Sequence, residues 1–187
     1  MNELLWYASR ATGVVSVVLL TAVVVLGAVT AGRRSPHGES ATVVMALHRW
    51  LSLGMTVFLG AHIVTAIAET FVSIDLVSAV LPFTSGYEPV WVGLGTLAFD
   101  VLLAVIVTSV LRHRLAERTW RRVHLLSLAL WPMAVVHGIA LGTGDQPVLV
   151  ATTIGCGVVG AGALAWRWTT THADRTRRAA VLAQEWS

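Results

Sequence analysis

Hydrophobic residues run through this chain in long, almost unbroken blocks, with the polar positions gathered between them. Five of these blocks, at about 12–32, 44–68, 90–111, 122–142 and 148–168, are each long enough to cross ~30 Å of hydrocarbon at ~1.5 Å per residue. The pattern predicts an all-α fold: a polytopic membrane helix bundle of five spans, forming a single domain over residues 1–187. Between the second and third blocks, 71–89 mixes apolar residues with Asp75, Pro82, Gly86 and Glu88. It is expected to lie at the membrane interface as a short helix followed by a turn.

Composition agrees with a membrane as solvent: 56% of the 187 residues are hydrophobic, 12% are charged, and the mean hydropathy is +0.74. The formal charge of +3 and the pI near 10.0 invite a nucleic-acid reading, but the arginines sit in short clusters between apolar blocks, where they act as topology signals. Arg33 and Arg34 follow the first block; Arg112, Arg114, Arg118, Arg121 and Arg122 lie between the third and fourth; Arg167, Arg175, Arg177 and Arg178 follow the fifth. Those segments are expected in the cytoplasm. The connections carrying Glu69, Asp75 and Glu88, and Asp145, are expected outside, which puts the N-terminus outside and the C-terminus inside a cell membrane. Val29-Thr30-Ala31 resembles an export cleavage site, yet the block before it is long and its arginines follow it, so a retained span is expected. The one cysteine, Cys156, excludes a Cys-x-x-Cys-His haem attachment. The small residues of 155–163 suit close helix packing.

Ionisable residues inside a span are costly and mark function. The second block holds His48 and His62, the third Asp100, and the fourth His124 and His137. The second and fourth spans run in the same direction, so His48 shares a depth with His124, and His62 with His137. The intervals are 14 and 13 residues, rises of about 21 and 19.5 Å. At about 100° per residue, 14 steps return to within ~40° of the starting face, whereas 13 steps miss by ~140°. The fourth span is therefore expected to be tightened or bent, with Pro132 as the cause.

Two imidazoles facing each other at equal depth suit the two faces of a six-coordinate b-type haem, and two such pairs suit two stacked, non-covalent haems. Gly54, Gly60 and Gly138 are placed to let a backbone approach a flat ring. Arg49, Arg121 and Arg122 are candidates for the propionates of the inner haem, and Arg10 for those of the outer one. Trp131 lies midway between His124 and His137, either between the haems or as a core residue. Asp100 is open to a proton-relay or a helix-bonding reading. His37, His113 and His172 are expected to be solvated. The competing functions are a membrane metal transporter or sensor that binds metal directly through the span histidines, and a structural subunit.

The runs His48-Arg49-Trp50-Leu51-Ser52-Leu53-Gly54 leading to His62, and Trp120-Arg121-Arg122-Val123-His124-Leu125-Leu126 leading to His137, resemble the ferric reductase-like transmembrane domain family. That family includes ferric reductases, NADPH oxidases and the haem-binding membrane subunit of the methionine sulfoxide reductase system. The resemblance implies a membrane component of a ferric reductase-like oxidoreductase system. Unlike members that work alone, the chain shows no Gly-rich nucleotide fingerprint after its fifth span. With no flavin or nicotinamide site of its own, it is expected to take electrons from a separate flavoprotein or a quinol and pass them to an extracytoplasmic acceptor.

Overall fold

A computed structural model describes residues 2–30, 39–72 and 74–185, with side chains over 3–30, 39–72 and 74–169. Arg33, Arg34 and His37 lie outside the described residues, as do the side chains of His172, Arg175, Arg177 and Arg178. The described elements are helical: α1 (Asn2–Thr30), α2 (Glu39–Ala68), α3 (Pro89–Val110), a 3-10 turn (Arg112–Arg114), α4 (Glu117–Leu125), α5 (Ser127–Ala140) and α6 (Pro147–Glu185). They supply five helices long and apolar enough to span a membrane, α4 and α5 together making the fourth. The first helix starts well before the apolar block at 12. The polar Arg10 masks that turn from a hydropathy reading, yet its guanidinium is held by the Leu141 carbonyl at 3.0 Å.

The fourth span is interrupted at Leu126, not at Pro132, which sits inside α5. The Leu126 N–H donates to the Val123 carbonyl at 3.0 Å, and the Ala129 N–H to the Leu126 carbonyl at 2.9 Å. Both are i to i−3 bonds, the tighter winding of a 3-10 turn at about 120° per residue, which adds rotation in the direction the 13-residue interval requires.

The described residues of 71–88 contain no helix and form turns and bends. The Ser78 N–H and hydroxyl both donate to the Asp75 carboxylate, at 2.8 and 2.6 Å, closing a local ring that competes with helix. Those bonds also hold the Asp75 carboxyl below the usual carboxylate range. Pro82 and the left-handed backbone at Phe83 (φ 67°) and Glu88 (φ 40°) complete the break. The Thr96 hydroxyl donates to the Ser78 carbonyl at 2.7 Å and ties this loop to α3.

The core forms where α1, α3, α5 and α6 meet, around Val17, Leu20, Val24, Ala98, Leu102, Leu130, Trp131 and Val135. Among the described residues, helix α2 contributes Met55 to the buried core, with Leu59 packed against it. It packs on α1 and makes no extensive backbone contact with α4 or α5, so a gap separates those elements. Hydroxyls within the spans are satisfied locally, as when Ser16 and Thr56 donate to the carbonyls of Thr12 and Ser52, both at 2.8 Å.

Of the small residues in α6, Gly157 receives Val135 at 3.2 Å from a would-be Cβ, and Gly160 lies directly beneath the Trp131 ring. Gly155 and Gly162 face open space. Lipid gives helices no hydrophobic reason to associate, so such contacts carry the packing. Gly160→Ala is therefore expected to destabilise the bundle by about 1–3 kcal/mol through overpacking, while Gly162→Ala stays within about 0.5 kcal/mol. Thermal unfolding of both variants in detergent checks this; equal midpoints would remove the packing role given to Gly160.

Candidate functional site

Four imidazoles bridge the gap between α2 and the α4–α5 span. The His48 and His124 ring centroids are 6.4 Å apart with a 52° interplanar angle, at the end that carries Arg112 to Arg122. The His62 and His137 centroids are 6.2 Å apart at 82°, toward the opposite end. These are the pairings expected from equal depth.

The separations have a chemical meaning. Imidazoles in direct contact stack or meet edge-on without needing any set nitrogen-to-nitrogen gap. Two imidazoles bound on opposite sides of one first-row metal need bonds of ~2.0–2.1 Å each, which with a ring radius of ~1.1 Å sets the centroids about 6.3 Å apart. Rotation about the nitrogen–metal–nitrogen axis alters the interplanar angle and leaves that distance unchanged. Both centroid separations match that span.

The pair at His62 and His137 is the more completely built. Nδ1 of His62 lies 2.8 Å from the Ser9 carbonyl, and Nδ1 of His137 lies 2.8 Å from the Trp91 carbonyl. A carbonyl only accepts, so each Nδ1 carries the proton and each Nε2 keeps its lone pair free, which is the tautomer a metal requires. Glycines make the approach possible. A Cβ on Gly13 would stand 2.9 Å from His62 Nδ1, and one on Gly95 would stand 2.5 Å from His137 Nδ1. The pair opens into a cavity of ≈ 220 Å³, far above the ~10–15 Å³ that one water needs. Its walls are largely apolar, with Met55, Leu59, Phe99, Leu102, Leu130 and Ala134 among them.

The pair at His48 and His124 is more open. Both rings are half-buried, and His124 Nδ1 is buried without a partner. Its ring stacks on Trp120, with centroids 5.1 Å apart and planes at 24°, and the Arg112 guanidinium lies 4.4 Å from the Trp120 ring centre.

The other residues singled out by the sequence fall as follows. Arg10 lines the cavity with His62 and His137, rests 4.1 Å from the Trp6 ring and leaves its buried Nε unpartnered. Arg49 and Arg122 are exposed. Arg121 bonds the Glu117 carboxylate at 2.8 Å, both side chains being largely exposed. Trp131 is buried and donates from Nε1 to the Thr21 hydroxyl at 3.0 Å, which commits its ring to the packing of α1 and α6. Asp100 is not part of the cavity wall. Gly138 lines the cavity, whereas Gly60 faces open space and Gly54 packs against Leu19. Among the described residues no three His, Cys, Asp or Glu side chains gather as ligands of a bare ion. Sequence reasoning missed Ser9, Gly13, Trp91, Gly95 and Trp120, because their parts depend on which helix faces each histidine. Trp120 alone carried a signal, lying one helical turn before His124.

Among the described residues, five helices of membrane-spanning length carry histidines paired at two levels between α2 and the α4–α5 span. The family model for the ferric reductase like transmembrane component matches residues 12–135. That is more than half of the 187 residues, and the chain belongs to the ferric reductase-like transmembrane family. The match takes in His48, His62 and His124 and ends short of His137. No curated protein and no solved structure matches the chain.

The Trp131–Thr21 contact is testable by itself. Trp131→Phe and Thr21→Val are each expected to cost about 0.5–1.5 kcal/mol, and the double variant less than their sum, because both remove one bond. Strict additivity in unfolding measurements would show that the bond contributes nothing.

Proposed function

We propose that this protein carries electrons across a cell membrane through two non-covalent b-type haems, one held by His48 and His124 and the other by His62 and His137. Membership of the ferric reductase-like transmembrane family supports transmembrane electron transfer. The observation that carries the two-haem reading is the pair of centroid separations, 6.4 and 6.2 Å, each matching the span of two imidazoles across one metal. Bound there, haem supplies a one-electron ferric–ferrous couple.

The protein's own groups do the rest. The Ser9 and Trp91 carbonyls hold the Nδ1 protons of His62 and His137, which leaves both Nε2 lone pairs free for a metal and raises their basicity. The cavity wall around that pair is largely apolar. Arg10 is assigned to the carboxylates of the haem beside it, and Arg49, Arg121 and Arg122 to those of the haem at the arginine-rich end. Trp131 is assigned to packing. The arginine-rich end is placed in the cytoplasm, with the N-terminus outside and the C-terminus inside. A separate flavoprotein or a quinol supplies electrons there, and an extracytoplasmic acceptor, such as ferric iron, a flavoprotein or oxygen, takes them at the other end. The chain is thus read as the membrane component of an oxidoreductase system.

A pyridine haemochrome assay on fully loaded protein is expected to give two haems per chain, and no more than one would remove the two-site model. His62→Ala and His137→Ala should each disturb the same haem and leave the spectrum of the other intact. Gly95→Leu, which drives a side chain into the His137 ring, should disturb that haem as well.

Orientation has its own test. A cysteine placed at Asp145 is expected to react with an impermeant thiol reagent in intact cells, and one at Arg118 to stay unlabelled until the membrane is permeabilised. The reverse pattern would invert the topology.

A further inference from the structure

The arginine-rich end has a structure that topology signalling does not require. Charge alone would orient the spans wherever the arginines pointed. Here Arg112 is laid against the Trp120 ring, with its guanidinium carbon 4.4 Å from the ring centre, and that ring is stacked at 5.1 Å on the histidine His124. Trp120 Nε1 is buried with no partner, so hydrogen bonding within the chain does not account for the ring's position. Around it Arg112, Arg114 and Arg118 are exposed, and the one nearby acid, Glu117, is engaged with Arg121. At the opposite pair Arg10 rests 4.1 Å from the Trp6 ring, and the histidine rings themselves are held by backbone carbonyls.

We propose that segment 112–120 is the docking surface for an acidic electron-donor flavoprotein, and that Trp120 is the contact through which its electrons reach the His48–His124 pair. The proposal rests on the haem reading above and adds where, and from what kind of partner, the electrons come. Electron tunnelling weakens steeply with each added ångström. A donor seated on Trp120 is one aromatic ring from a haem ligand. The exposed guanidiniums supply the complementary charge, which acts chiefly on the association rate and is screened by salt. Each step is balanced: the reduced flavin loses one electron and its hydroquinone becomes a semiquinone, releasing a proton to solvent, while one ferric haem iron becomes ferrous. A second electron leaves the semiquinone in the same way.

The test uses the full haem-loaded chain in sealed inside-out vesicles. Stopped-flow reduction is followed with two probes, an acidic flavodoxin in its hydroquinone form and the cationic one-electron reductant methyl viologen radical. Reduction by flavodoxin is expected to slow about tenfold or more between ~0.02 and ~0.5 M salt, and reduction by methyl viologen not to slow. The double variant Arg114→Gln, Arg118→Gln should abolish most of that salt dependence and weaken flavodoxin binding in a separate surface-binding measurement. Trp120→Leu should slow flavodoxin about tenfold at unchanged haem content, and Trp120→Phe, which keeps an aromatic ring, should restore most of the rate. The electron paramagnetic resonance signal of the haem at His124 should shift in Trp120→Leu and return toward wild type in Trp120→Phe.

Equal loss with both reductants, or a flavodoxin rate that ignores the arginines, Trp120 and salt, would overturn the proposal. Unchanged rates together with a lost preference for phosphatidylglycerol over phosphatidylcholine on reconstitution would assign the arginines to lipid and overturn it too. Should Trp120→Leu fail to take up haem, the arginine pair and Trp120→Phe still decide the matter. A wild-type chain that shows no haem spectrum fails at the earlier reading instead.

Discussion

An imidazole inside hydrocarbon has two nitrogens to satisfy, and helix packing alone rarely satisfies both. In this bundle the constraint is met at one end by the Ser9 and Trp91 carbonyls, which take the Nδ1 protons of His62 and His137 and leave both Nε2 lone pairs free. The gap persists because α2 packs on α1 and stays clear of α4 and α5. Helices in lipid close up when small residues let them, as Gly157 and Gly160 let α6 close on α5. No such contact draws α2 toward α5, and the rings span what the backbones do not.

The pairing of four histidines follows from arithmetic that the chain makes plain, since two near-equal intervals on two parallel spans allow only one set of equal depths. The spans themselves were equally plain in the hydropathy pattern. Less legible was the means by which the 13-residue interval is accommodated. Proline was the visible suspect, yet Pro132 lies within a continuous α5 and the tightening falls at Leu126, which has no distinctive side chain. The turn-rich segment after α2 was misjudged for a related reason. Its apolar content suggests a helix, while Asp75 and Ser78 bind each other and spend the local hydrogen-bonding capacity on a turn. The groups that seat the rings were invisible in sequence, because Gly13 and Gly95 matter only through their proximity to a histidine on another helix.

The two ends of the site are built on different principles. Backbone carbonyls, glycines and a largely apolar cavity define the His62–His137 end, so its geometry is set by helix positions. At the His48–His124 end an aromatic ring and a guanidinium take the place of carbonyls, and the rings are half-buried. A ligand fixed by a carbonyl keeps its proton at Nδ1 and its lone pair at Nε2. A ligand held by stacking keeps its plane but not its tautomer, and the Nδ1 of His124 is buried without a partner among the described residues.

That difference bears on what a membrane electron carrier needs. Shelter favours a stable redox site, because water reaching a ligand or metal alters its hydrogen bonding and its potential. Exchange with a partner requires the opposite, an edge close to the surface. A single buried site must compromise between the two, whereas two sites about 20 Å apart along one pair of helices separate the demands. On the haem reading, the stacked and exposed end suits contact with a donor, and the walled end suits retention of the electron until an acceptor arrives. The asymmetry of the histidine environments is then the structural counterpart of directional traffic. It arises from ordinary packing choices: glycines where a ring must fit against a helix, and a tryptophan one turn before the ligand where it must be reached.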